Sequence, residues 1–92
     1  MAALDRLFVI SYDIPDDRRR LRVSNLLKSY GERVQYSVFE CWLSAVELGR
    51  LHKELEKRIE PDCDSVRIYR LADEIRILGV GTVTRNPDAW IA

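Results

Sequence analysis

The chain is 92 residues long, 47% hydrophobic and 33% charged, with fifteen basic residues against fifteen acidic ones. These figures exclude a disordered chain and leave room for a single domain, 1–92, which at this size buries only about 60–65% of its unfolded surface and gains from self-association. The net charge of zero excludes a field of the whole molecule that draws it to nucleic acid, so any such contact has to come from a local patch.

The first element is the run Leu7-Phe8-Val9-Ile10-Ser11-Tyr12. Apart from Ser11 it is apolar on both alternating faces, which predicts a central strand covered on both sides. It delivers a carboxylate, Asp13, to its C-terminal end. Pro15 then stands where a helix can begin, and Asp16 and Asp17 suit its first turn. Val23, Leu26, Leu27 and Tyr30 recur at helical spacing and give one buried face, with Gly31 as the stop. Residues 33–43 have β composition. Val34, Tyr36 and Val38 occupy even positions, whereas Phe39, Cys41 and Leu43 occupy odd ones. A slip of one residue turns every side chain across a sheet, so a bend, bulge or tight reversal is expected near Ser37 to Phe39, and two strands result.

Ser44 and Glu47 form a capping box, and Leu48, Leu51, Leu55 and Ile59 form the inner face of a second helix, with Glu54 and Arg58 paired outside. Pro61 closes it. Residues 65–71 read as a fourth strand. A short Ala72-Asp73-Glu74 turn leads to a fifth at 75–80, whose end Gly79 and Gly81 loosen, and 82–92 form a tail. The order β-α-β-β-α-β, with one more strand, predicts an α+β, ferredoxin-like domain with both helices on one face of an antiparallel sheet. The uncovered face of the first strand then needs a cover, and a second copy of the chain is the simplest one.

Charge and chemistry concentrate at the start. Arg18, Arg19, Arg20, Arg22, Lys28 and Arg33 stand against Glu32 alone between residues 18 and 33, and arginine exceeds lysine twelve to three over the chain. Carboxylates bind hard cations through oxygen, and guanidinium groups bind phosphate as a planar fork. Asp13 beside this helix therefore points to metal-assisted chemistry on a phosphodiester. The plainer alternatives are that Asp13 caps the helix or steadies the Ile14-Pro15 turn, and that the arginines solvate a helix face or pair with Asp16, Asp17 or Glu32. Tyr12 and Phe39 either flank the site or belong to the core. Ser37 either donates to a phosphate or satisfies the backbone at the bend. His52 is a boundary or core histidine. Cys41 and Cys63 lack metal-site spacing and read as reduced thiols of a cytoplasmic protein. Gly79-Val80-Gly81 lacks the context of a phosphate loop, so neither ATP nor NAD binding is expected. No export signal and no membrane span are expected either.

The strand Phe8-Val9-Ile10-Ser11-Tyr12-Asp13-Ile14, the Asp16-Asp17-Arg18-Arg19-Arg20 after it and the segment Gly31-Glu32-Arg33-Val34-Gln35-Tyr36-Ser37-Val38-Phe39-Glu40 resemble CRISPR-associated protein 2, in length and element order across the whole chain. The resemblance implies a homodimer in which Asp13 of each protomer meets its mate near the two-fold axis and shares a divalent metal, Mg²⁺ or Mn²⁺. It implies a metal-dependent endonuclease acting on RNA or double-stranded DNA. The alternative is a non-catalytic scaffold that binds DNA and bridges the integrase, CRISPR-associated protein 1, during spacer acquisition. By position, Tyr12 and Asp13 match the catalytic strand end, with Asp13 the metal ligand. Arg20, Arg22, Arg33, Ser37 and Phe39 match further family positions, and with Arg18 and Arg19 they are the expected nucleic-acid contacts. Trp42 departs from the smaller or polar residue expected there.

Overall fold

The computed structural model describes residues 5–86. The elements are β1 (Arg6–Asp13), α1 (Asp17–Lys28), β2 (Glu32–Gln35), β3 (Val38–Leu43), α2 (Ala45–Glu56) and β4 (Ser65–Arg70). The strands form one antiparallel sheet in the order β2-β3-β1-β4, the α+β ferredoxin-like arrangement expected from the element order.

Alternation along β1 divides the molecule. Phe8, Ile10 and Tyr12 join Val23 and Leu27 of α1 and Leu51 and Leu55 of α2 in one core, so both helices cover the same face. Register places Ile10 between Phe39 of β3 and Ile68 of β4, and the middle of the core lies there. Each fully buried Leu, Ile or Phe contributes about 1.5–3 kcal/mol. On the outer face, Leu7 is buried, Val9 and Ser11 are half-buried, and Asp13 is exposed.

Local signals set the helix ends. Asp16 caps α1, its side chain accepting from the Arg19 N–H at 2.9 Å. Ser44 and Glu47 make both hydrogen bonds of the capping box on α2, at 3.2 and 2.9 Å. The phase slip is a two-residue turn at 36–37 joining β2 to β3. It puts Phe39, Cys41 and Leu43 in the core and leaves Val34 and Tyr36 exposed, because β2 is an edge strand.

Gly31 has a different reason from the one its position advertises. The cap residue of α1 is Ser29, in ordinary right-handed geometry. A Cβ at Gly31 would lie 2.2 Å from the Glu40 carbonyl oxygen and 2.5 Å from Cys41 Sγ. Glycine is required where α1 hands over to β2 because the backbone there presses against β3.

Residues 75–80 are not a fifth strand, which corrects that expectation. Gly79 turns the backbone to φ +88°, out of extended geometry, and among the described residues no strand pairs with the segment. It crosses the outer face instead. Trp42 Nε1 donates to the Thr84 carbonyl at 3.0 Å, and the buried Thr84 hydroxyl donates to the buried Glu40 carboxylate. Part of the face that β1 was expected to offer to a second copy is thus covered by the chain's own C-terminal segment. Leu78, 97% exposed, and Val80 are left uncovered. Among the described residues no helix is long and apolar enough to cross a membrane. The tail beyond residue 86 lies outside the described residues.

Candidate active site and nucleic-acid surface

Asp13 sits at the last position of β1, with an exposed side chain. Helix capping belongs to Asp16, so the carboxylate of Asp13 is not consumed there. The backbone N–H of Tyr12 donates to the Ser37 carbonyl at 3.1 Å, which holds the β2–β3 turn beside the end of β1. On the other side β4 pairs Ser65 with Asp13 and Arg67 with Ser11. The result is a cavity of about 340 Å³ lined by Ser11, Tyr12, Asp13, Ser37, Ser65, Arg67 and Tyr69. It holds one carboxylate, three serine hydroxyls and one guanidinium. The Arg67 Nη1 donates to the Tyr69 hydroxyl at 3.3 Å, and this contact raises the guanidinium above its ordinary pKa. Such a set has the chemistry to take a hard cation at the carboxylate and phosphate oxygens at the hydroxyls and Arg67.

Ser65, Arg67 and Tyr69 were not among the residues expected from the sequence. Their signal is the alternation Ser65-x-Arg67-x-Tyr69 against Val66 and Ile68, which puts the polar set on the outer face. Their presence beside Asp13 depends on the β1–β4 register.

Tyr12 itself is a core residue. Its ring stacks on Phe39 with centroids 6.4 Å apart, and its hydroxyl donates to the Tyr36 carbonyl at 3.4 Å. Phe39 is 0% exposed, which corrects its expected role in touching nucleic acid. It supports Arg33, whose guanidinium carbon lies 5.4 Å from the centre of the Phe39 ring.

The expected arginines divide into three groups. Arg19 makes two hydrogen bonds to Asp64, at 2.7 and 3.1 Å, and the Asp64 side chain is fully shielded. Arg19 is therefore a strut between α1 and the loop entering β4 rather than a free phosphate ligand. Its guanidinium holds the Asp64 carboxyl below the usual carboxylate range, with help from the Glu60 N–H at 2.7 Å. Arg20 and Arg33 are anchored but reach the surface. Arg20 donates to the Ile14 carbonyl at 2.8 Å and pairs with Asp17, and Arg33 donates to the Ser24 hydroxyl. Arg18 and Arg22 are exposed on α1. Arg33 lies over Phe39 on the helix side of the sheet, whereas Asp13 belongs to the outer face, so Arg20 and Arg33 line one cavity and Asp13 and Ser37 another, with Tyr12 as a shared wall, and Arg18, Arg19, Arg22 and Phe39 line neither.

No cysteine or histidine adds a nucleophile here. Burial pushes the Cys41 thiol up to about 12, and His52 stands exposed on α2, 3.0 Å from Glu56.

Comparison with known proteins bears on the family and the fold. A model of the family described as "CRISPR associated protein Cas2" matches residues 6–76. The CRISPR-associated endoribonuclease Cas2 3 of Chloroflexus aurantiacus is 52% identical over 87 residues, 90% of this chain and 94% of that protein. The crystal structure of the hypothetical protein TT1823 from Thermus thermophilus superposes with a TM-score of 0.82 at 47% identity, covering 88% of this chain and 99% of the other. A chain of a partial Cas6-RT-Cas1–Cas2 complex superposes with a TM-score of 0.64 at 30% identity, covering 74% and 75%.

Proposed function

This chain belongs to the CRISPR associated protein Cas2 family, and on that premise we propose that it is a metal-dependent endonuclease that hydrolyses phosphodiester bonds in RNA or double-stranded DNA as a homodimer, with Asp13 of both copies at the reacting phosphate. The observation that carries this reading is the exposed Asp13 carboxylate in a cavity of serine hydroxyls beside Arg67. The name of the Chloroflexus relative supports the nuclease activity.

The donor set fits Mg²⁺ or Mn²⁺, which take oxygen ligands and keep several waters. Among the described residues Asp13 is the one carboxylate lining this cavity, so one copy brings a single carboxylate and a second copy brings the other. A bound cation would neutralise charge on the scissile phosphate and activate water. Asp13 would hold that cation. Ser37 and Ser65 donate to non-bridging phosphate oxygens, and Arg67, steadied by Tyr69, offsets the charge that builds on them. Arg18 and Arg22, exposed on α1, bind flanking phosphates without reading bases.

Cleavage of labelled RNA and duplex DNA by the wild type and Asp13→Asn tests this reading. The wild type cuts with Mg²⁺ or Mn²⁺ and not with EDTA, and the near-isosteric variant loses at least about 100-fold in rate, the scale of a lost acid–base or metal contribution. Equal cleavage by the two proteins overturns it. A second reading, a DNA-binding scaffold that bridges the integrase, draws on the likeness to a chain of the Cas1–Cas2 assembly. It takes over if neither protein cuts and both bind duplex with equal, salt-dependent affinity.

A further inference from the structure

On the helix side of the sheet, α1 and the β2–β3 turn enclose a second cavity of about 350 Å³. Arg20, Lys28 and Arg33 line it together with Ser24, Tyr36 and a single acid, Asp17. Three cations against one carboxylate leave two positive charges. The two arginines are placed rather than loose. Ser24 and the Phe39 ring orient Arg33, and the Ile14 carbonyl and Asp17 orient Arg20. The Lys28 side chain makes no ion pair or hydrogen bond among the described residues. Tyr36 is 75% exposed, so its ring is free to stack.

A continuous duplex backbone needs a track of contacts along a groove, whereas this cavity has the dimensions of one small ligand. A phosphodiester carries one negative charge, but a phosphate monoester carries about −1.5 to −2 at pH 7, which matches the local excess. We propose that this cavity binds a nucleotide bearing a terminal phosphate monoester, with the phosphate among Arg20, Lys28 and Arg33 and the base stacked on Tyr36. The proposal rests on the reading of the chain as a nucleic-acid-binding protein and adds a site for strand ends, or for free nucleotides of the same chemistry, apart from the Asp13 cavity.

The test is equilibrium binding in EDTA, where no cleavage is needed. Short single strands of one sequence carry a 5′ phosphate, a 3′ phosphate or hydroxyls at both ends, and adenosine monophosphate serves as competitor. A phosphate at one end tightens binding roughly tenfold, equivalent to about 1.4 kcal/mol. Lys28→Gln and Tyr36→Ala each abolish that preference while keeping the wild-type melting temperature. Displacement by adenosine monophosphate assigns the cavity to free nucleotides as well, and its failure assigns it to strand ends. Equal binding of all three strands, or a preference that survives in both variants, overturns the proposal. Neither result bears on whether Asp13→Asn loses cleavage, so the two readings fail separately.

Discussion

At the scale of single residues, two positions carry more of this fold than their chemistry announces. Gly31 has no room for a side chain, since a Cβ meets the backbone of β3 at 2.2 Å. Gly31→Ala is expected to cost about 1–3 kcal/mol as overpacking that the backbone cannot relieve, and thermal unfolding should show a midpoint lower by roughly 4–8 °C for each kcal/mol in a domain of this size. An unchanged midpoint would mean that the α1–β2 corner yields easily. Asp64 is the second position. Its carboxyl is held low, chiefly by Arg19, so its contribution is present above the unfolded value, ordinarily 3.8, and disappears as pH falls through the folded one. Asp64→Asn should therefore melt below the wild type at neutral pH, with the gap closing in acid below that range. A gap independent of pH would deny the ion pair its role.

At the scale of elements, the helix ends are locally determined and the strand ends are not. The capping box of α2 satisfies two N-terminal backbone donors with residues three apart. Ser44→Ala should cost about 1 kcal/mol, read as a lower denaturant midpoint at unchanged slope, and a change in slope would point to wider damage. The reversal between β2 and β3 was legible from the phase of Phe39, Cys41 and Leu43 because a strand with one buried face records its register in its sequence. Residues 75–80 show the converse. Their composition is that of a strand, yet a strand needs a partner edge, and none among the described residues meets them.

At the scale of the whole molecule, zero net charge coexists with one cavity that concentrates cations, between α1 and the β2–β3 turn, and another that sets Arg67 beside Asp13. Small size, a single carboxylate in the Asp13 cavity and the exposed Leu78 and Val80 all favour the homodimer of the proposed function. The melting temperature of the wild type is expected to rise with protein concentration, as mass action requires. Leu78→Asp combined with Val80→Asp should elute as a monomer and lose that dependence. A doubly substituted protein that still dimerises would place the contact elsewhere.

The sequence by itself determined the order of the six elements from β1 to β4, the capping box of α2, the core face of each helix and the delivery of Asp13 to a strand end, since each of these depends on neighbours within a few residues. Tertiary structure decided the rest. Arg19 is joined to Asp64 across 45 positions, Arg33 rests on Phe39, Ser65 and Arg67 reach Asp13 and Ser11 by register, and the C-terminal segment hangs on Glu40 and Trp42. Composition can count the arginines and carboxylates. Which of them are tied to each other and which stay open to a ligand depends on the pairing of distant strands, because contacts between distant residues are set by packing and register rather than by local pattern.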